Sequence, residues 1–303
     1  TMVASARVAY LARRAKDYGI DTGDVSVDIA AVRQRKRDIV QSWQEGSRQS
    51  LESTENLELL KGEAAFTGLR TLEVRPTEMQ GSEAGPFTIK AERVFINTGC
   101  RPAIPSLPGL DRVPYLDSTT IMELGEAPRH LLILGGGYVA VEFAQMFRRF
   151  GSQVTLVQRR PTLLPREDSD VAEALAAILR EDGVDLVLEA EALSAARNAS
   201  GDVELQVKTP SGANSLRGSH LLVATGRVPN TEALNLEATG LEVDARGYIP
   251  VNERLETWVD GIYALGDVNG GPAFTHISYD DYRVIRANLF EGGHATTTGR
   301  VVP

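Results

Sequence analysis

The stretch Leu131-Leu132-Ile133-Leu134-Gly135-Gly136-Gly137-Tyr138-Val139-Ala140-Val141-Glu142 decides how the rest of the chain is read. Four successive apolar residues bounded by a turn signal make a short strand buried on both faces, the kind found in parallel sheets. The three glycines are the turn. Val139, Phe143, Met146 and Phe150 then recur at spacings of four, three and four, one face of an amphipathic helix. Gly151 stops that helix, as a glycine just past a C-cap does. Val154-Thr155-Leu156-Val157 is the next strand. The whole is a strand–helix–strand unit, whose crossover is expected to be right-handed.

Toward the C-terminus the pattern repeats. Val171, Leu175, Ile178 and Leu179 mark a helix ended by Gly183, and Val184, Leu186 and Leu188 a strand. Residues 203–208 read as a hairpin arm after Ser200-Gly201-Asp202. The apolar strand Leu221-Leu222-Val223-Ala224 ends in Thr225-Gly226. Toward the N-terminus, residues 1–18 read as a helix stopped by Gly19, and Asp28 caps a long helix to about residue 53. Short strands occupy residues 57–90, with turns at 67–68 and 81–86. A strand at 93–97 ends in Thr98-Gly99, and a proline-rich linker follows to Pro114. The run 94–102 echoes 221–229: each is an apolar strand, then Thr-Gly, then Arg and Pro. Two related doubly wound domains in one chain is the economical reading.

Composition agrees. The 303 residues are 42% hydrophobic and 24% charged, with a formal net charge of −9. That balance excludes collagen, a coiled coil and bulk disorder. An acidic chain is not expected to bind nucleic acid through its net charge. The one basic run, Arg33-Gln34-Arg35-Lys36-Arg37, reads as a solvated helix face. No apolar run reaches the roughly 18 residues of a membrane span, so no membrane partner is expected. The single cysteine, Cys100, forms no disulfide within the chain, and the expected compartment is the reducing cytoplasm. Four scattered histidines offer no metal-ligand spacing.

The segment 135–140 fits G-x-G-x-x-A. Gly135 permits the tight turn, Gly137 lets backbone approach a pyrophosphate, and Ala140 allows close helix–strand packing. The following helix N-terminus stabilises negative charge. The strand-then-helix context is what separates a dinucleotide fingerprint from a chance glycine cluster. An NAD site places an acid at the end of the second strand. Here that end reads Gln158-Arg159-Arg160, and two guanidiniums suit a 2′-phosphate, so NADP(H) is favoured over NAD(H). Later, Ile262-Tyr263-Ala264-Leu265-Gly266-Asp267 delivers an Asp at a strand tip, suited to a cofactor hydroxyl or to capping the next turn.

With Gly-Gly-Gly-Tyr-Val-Ala-Val-Glu at 135–142, Thr-Gly at 98–99 and 225–226, and Gly266-Asp267, the chain resembles the class I pyridine nucleotide–disulfide oxidoreductases across nearly its whole length. Within that family it is most similar to the mercuric-reductase-like branch. The resemblance implies an α/β fold of two doubly wound three-layer nucleotide-binding domains, one inserted in the other. The expected boundaries are 1–116 and 240–303 for a truncated FAD-type domain and 117–239 for the NAD(P) domain. It implies that Gly135, Gly137, Tyr138, Val139, Glu142, Arg159, Arg160 and Gly226 serve NAD(P). Tyr138 would cover the flavin until nicotinamide displaces it, and Glu142 would lie near the carboxamide. It implies further that Ala64, Thr98, Gly99, Gly266, Asp267, Thr275 and His276 serve FAD, with the helix start at 275–276 facing the flavin ring.

The family's N-terminal glycine fingerprint for FAD, its Cys-x-x-x-x-Cys dithiol and its C-terminal dimerisation domain have no match here. No catalytic residue is therefore assigned within the chain. Cys100 is read as a small apolar residue. The chain is expected to be an internal piece of a longer protein, with the dithiol encoded just upstream of Thr1. The expected parent is a homodimeric enzyme passing hydride from NADPH to FAD and electrons on to a dithiol and a disulfide, small-molecule or metal-ion acceptor. A nucleotide-binding module without turnover, and an NADH-dependent dihydrolipoamide dehydrogenase, are the alternatives.

Overall fold

The computed structural model describes residues 1–77 and 85–302, so residues 81–84 of the turn expected at 81–86 lie outside the described residues. The chain forms two compact units. One comprises residues 1–53 and 102–226, the other 54–101 and 227–303.

The first unit is built on a five-stranded parallel sheet. Its order is Tyr115–Leu116, His220–Val223, His130–Leu134, Gln153–Val157 and Val184–Val187. The central strand pairs in register on both sides, Leu132 with Leu221 and Leu132 with Thr155. Leu131, Leu132 and Ile133 are fully buried, which is why that strand reads as an unbroken apolar run. Helix α3, Tyr138–Phe150 (the chain's other helices are α1, Met2–Arg13; α2, Ile29–Glu52; α4, Ser169–Glu181; and α5, Thr275–Phe290), lays Ala140, Ala144, Phe147 and Phe150 against the sheet. Gly151 ends α3 with φ of 110°. Helix α1 joins the same core through Met2 and Ala6, and the Arg149 guanidinium stands 4.1 Å above the Tyr10 ring. A three-stranded antiparallel sheet, Glu191–Arg197, Val203–Thr209 and Gly212–Gly218, turns alternate residues Val203, Leu205 and Val207 inward, the period of two that a half-buried strand requires.

Helix α2 begins where expected, with the Asp28 carboxylate accepting from the Ala31 N–H at 3.0 Å. In its basic run Gln34, Arg35 and Arg37 are exposed, as on the expected solvated face, and Lys36 is the exception. Lys36 is buried, and Lys36 and Arg37 both donate to the Glu123 carboxylate while Arg33 donates to the Glu123 carbonyl at 2.9 Å. Those two cations hold the Glu123 carboxyl below its ordinary range.

The second unit carries a parallel pair, Val94–Ile96 with Ile262–Ala264. It also holds an antiparallel sheet of Gly62–Gly68, Thr71–Pro76 and Phe87–Lys90. Phe66, Ile96, Ile249, Ile262, Ala264 and Val268 form its core. The unit boundaries differ from the expected 116/117 and 239/240. Met2, Ala6 and Ile29 share a core with Phe147, so residues 1–53 group with the first unit. Leu236 shares one with Phe66, so residues 227–239 group with the second. Among the described residues no helix is long and apolar enough to cross a membrane.

Candidate functional site

In the first unit the three glycines of the turn have three different surroundings. Gly135 has φ of 119°, and a Cβ there would stand 2.3 Å from the Ala224 carbonyl oxygen. Its N–H donates to the Val157 carbonyl at 2.9 Å. A side chain at Gly136 would strike the Gln158 side chain at 2.8 Å. Gly137 is unlike both: its φ is −84° and a Cβ would meet nothing within 4 Å. Neither backbone conformation nor protein packing demands glycine there. What the missing side chain does is keep open the space in front of the first turn of α3, which no side chain caps. A diphosphate requires that approach and that helix end. The residues present therefore fit a dinucleotide.

The neighbouring strand ends complete this site. Ala224 N–H donates to the Leu134 carbonyl at 2.8 Å, which sets Thr225 and Gly226 beside the glycine turn. Thr225 Oγ1 and the Gly226 carbonyl both bond residue 103, at 3.2 and 3.0 Å. Arg159 and Arg160 lie just past the strand Gln153–Val157 and are exposed. Gln158, between them and the strand, is turned inward and is 8% exposed, its Nε2 donating to the Thr162 carbonyl at 3.3 Å. So the position where an acid would receive a ribose hydroxyl faces the protein, and the two guanidiniums face outward. Val139 is half-buried and Glu142 exposed on α3. The Tyr138 hydroxyl donates to Glu167 Oε1, and that carboxylate raises the tyrosine pKa.

In the second unit Thr98, Gly99, Gly266 and Asp267 fall at two strand tips. Thr98 Oγ1 donates to the Asn230 carbonyl at 2.8 Å, and Asn230 Nδ2 to the Thr98 carbonyl at 2.9 Å. Gly99, with φ of 66°, has open space where a side chain would stand. Gly266 has φ of 70° and no room, since a Cβ would lie 2.6 Å from Asn97 Oδ1. Asp267 follows it, its carboxylate 3.7 Å from the Arg227 guanidinium. Cys100 is half-buried, its Sγ donating to the Asp267 carbonyl at 3.3 Å; burial pushes its pKa up, as for an unreactive thiol. Thr275 and His276 open α5, again without a side-chain cap, and are exposed. Ala64 is half-buried in the strand Gly62–Gly68 and pairs with Val74.

Three residues were missed by sequence reasoning. Glu167 carries no local signal, and Arg227 stands in the repeated Thr-Gly-Arg pattern with nothing local to mark its pairing with Asp267, because both partners are distant in the chain. Asp281 does carry one. Ile277, Val284 and Ile285 are buried on α5, and an acid falls on that stripe. It is fully buried, and its Oδ2 accepts from the Gly266 N–H at 2.9 Å and Asn269 Nδ2 at 3.1 Å, while Arg300 donates to Oδ1. Among the described residues no cluster of His, Cys, Asp and Glu is arranged to hold a metal ion.

Comparison with known proteins identifies the family. Residues 10–281 match the family model described as pyridine nucleotide-disulphide oxidoreductase. The chain is 40% identical over 274 residues to the probable pyridine nucleotide-disulfide oxidoreductase RclA of Escherichia coli, covering 90% of this chain and 60% of that protein. It is 33% identical over 304 residues to a mercuric reductase of Bacillus cereus, covering 100% of this chain and 46% of that one. The solved structure of the Cu(II) complex of the HOCl-induced flavoprotein disulfide reductase RclA from Escherichia coli superposes with a TM-score of 0.85 at 36% identity, over 99% of this chain and 62% of that one. The chain thus spans about half to three-fifths of these relatives' lengths. On its sequence, its fold and the glycine turn that both explain, the chain belongs to the pyridine nucleotide–disulfide oxidoreductase family.

Proposed function

We propose that this chain supplies the nucleotide-binding part of an NADPH-dependent flavoprotein reductase whose acceptor is a disulfide or a metal ion. The carrying observation is Gly137, a glycine that neither its φ nor its neighbours require, standing open before the uncapped start of α3. In this reading the N–H groups of that turn and helix bind a diphosphate. Arg159 and Arg160 pair with a 2′-phosphate in bidentate fashion. Asp267 accepts from a hydroxyl of FAD, and the α5 start at Thr275 and His276 stabilises negative charge on the flavin side. When bound, these cofactors supply hydride transfer from NADPH to FAD and onward electron transfer to a dithiol. Cys100 is the only cysteine and one thiol makes no pair, so the dithiol is not drawn from these residues. The names of the relatives, mercuric reductases and RclA, support a metal ion or a disulfide as acceptor.

The reading is tested by titrating the chain with NADPH and NADH and following nucleotide fluorescence. Tighter binding of NADPH is expected. Equal affinities, or a preference for NADH, would overturn the assignment of the two arginines.

A further inference from the structure

The arginines that would read a 2′-phosphate sit in residues 158–168, between the strand Gln153–Val157 and α4, and this loop is tied down at several points. Its first part is tied to the sheet: Gln158 N–H donates to the Val187 carbonyl at 2.9 Å, and Glu189 N–H to the Arg160 carbonyl at 3.1 Å. Its middle folds back over the glycine turn, where Leu164 N–H donates to the Gly136 carbonyl at 2.9 Å. Leu163 is fully buried and Leu164 is 9% exposed. Leu164 has φ of 44°, a left-handed conformation that costs a leucine energy and persists only where surrounding contacts over-determine it. The last tie is polar. Glu167, whose N–H donates to the Leu164 carbonyl at 2.9 Å, receives the hydroxyl of Tyr138, the first residue of α3. The loop is thus fastened to the turn at its middle and at its end. One fastening point is the helix start where a diphosphate docks, and Arg159 and Arg160 lie upstream of both.

We propose that the Tyr138–Glu167 hydrogen bond clamps this loop to the glycine turn and so sets selectivity for nucleotides carrying a 2′-phosphate, Glu167 acting as a positioning residue. The physical reason is preorganisation. A guanidinium on a fixed loop has less freedom left to lose when it pairs with a phosphate, so affinity for that group rises. A nucleotide lacking the 2′-phosphate makes no use of the arginines and gains nothing from the clamp. The proposal rests on the reading that the first unit binds NADP(H).

The test uses two fragments without nicotinamide, 2′,5′-ADP and 5′-AMP, titrated calorimetrically against the whole 303-residue chain. Tyr138→Phe and Glu167→Ala should each cut the preference for 2′,5′-ADP by about fivefold, the scale of one hydrogen bond. In Glu167→Ala, affinity for 5′-AMP should stay within about twofold. Glu167→Gln keeps an acceptor for the tyrosine and should restore most of the preference. An independent signature is the ultraviolet titration of Tyr138, taken as the difference from Tyr138→Phe; its ionisation should move to lower pH in Glu167→Gln, because the charged acceptor is gone. Unchanged preference in Tyr138→Phe and Glu167→Ala, or equal loss for both fragments, would overturn the clamp. So would tighter 2′,5′-ADP binding shared by Glu167→Gln and Glu167→Ala, which would show a carboxylate acting by charge alone. If the unaltered chain binds neither fragment, the functional reading falls, and the clamp with it.

Discussion

Helix α3 is seated by apolar contact and close backbone approach, whereas α5 is seated by a buried carboxylate. Behind α3 lie fully buried strands, and Ala140, Ala144 and Phe147 on the helix itself have no exposed surface. The glycine turn closes on the Ala224 carbonyl with no space for a Cβ at Gly135. On α5 the buried positions Ile277, Val284 and Ile285 flank Asp281, which collects the Gly266 N–H, Asn269 and Arg300. Both arrangements place an uncapped helix start and a glycine turn in one unit. The first depends on shape, which a hydrophobic pattern encodes. The second depends on complete satisfaction of one buried charge, which no pattern announces.

The largest effect is expected at Asp281. Asp281→Ala takes from Arg300 its buried partner, leaving it the Asp280 carboxylate at 3.7 Å, and leaves the Gly266 N–H without an acceptor. Such a change is expected to cost about 3–5 kcal/mol, read as a lower denaturant midpoint, and a loss below about 1 kcal/mol would deny the carboxylate its anchoring role. Next comes the turn of the first unit. Gly135→Ala meets both a left-handed φ and a carbonyl at 2.3 Å, and should destabilise by about 2 kcal/mol or more. Gly137→Ala meets neither and should leave stability within about 0.5 kcal/mol of the original. It should nonetheless weaken NADPH binding about tenfold, because its methyl group occupies the diphosphate's approach. Equal effects of the two substitutions on stability would erase the distinction between a structural and a functional glycine.

In the first unit, Arg159→Glu is expected to act on nucleotide choice. It exchanges attraction for repulsion at the proposed 2′-phosphate site. NADPH affinity is expected to fall about tenfold and NADH affinity to change by less than about twofold; parallel losses in a titration series would show that Arg159 acts on something both nucleotides share. The smallest effect is the pH dependence of the same unit. Burial lowers the pKa of His130 and of His220, and His130 Nε2 also meets Thr155 Oγ1 at 2.8 Å. The folded chain therefore takes up protons less readily than the unfolded one. Stability from this source is full above the unfolded value of roughly 6.5 and declines as pH falls through it toward the folded values. Thermal midpoints should drop on acidification through that window, and His130→Gln should flatten part of the slope. An unaltered slope would assign it to other groups.

Where local pattern decides structure, the reading from residues was close. Asp28 caps α2, Gly19 and Gly151 end helices in the left-handed conformation, and the strand–turn–helix of 130–150 stands as expected. The candidate nucleotide residues of the first unit, Gly135, Gly137, Arg159, Arg160 and Gly226, come together because adjacent parallel strands end at one edge, a consequence of the periodicity itself. The failures have one cause. The burial of Lys36 within the otherwise solvated basic run has no local signal, because its acid, Glu123, is 87 positions away. Glu167 went unnoticed because Tyr138 is 29 positions away.

By itself, then, the amino-acid sequence determined the elements, their caps and the glycine turn, since those follow from φ, from helix and strand periods and from contacts a few residues apart. Tertiary structure alone decided which glycine is required by packing and which is left open. It also decided which acid is buried as an anchor, and where residues 1–53 find their core. Each of those depends on atoms brought together from far along the chain, and burial, which makes an ion pair or a missing methyl group matter, exists only once the chain has folded.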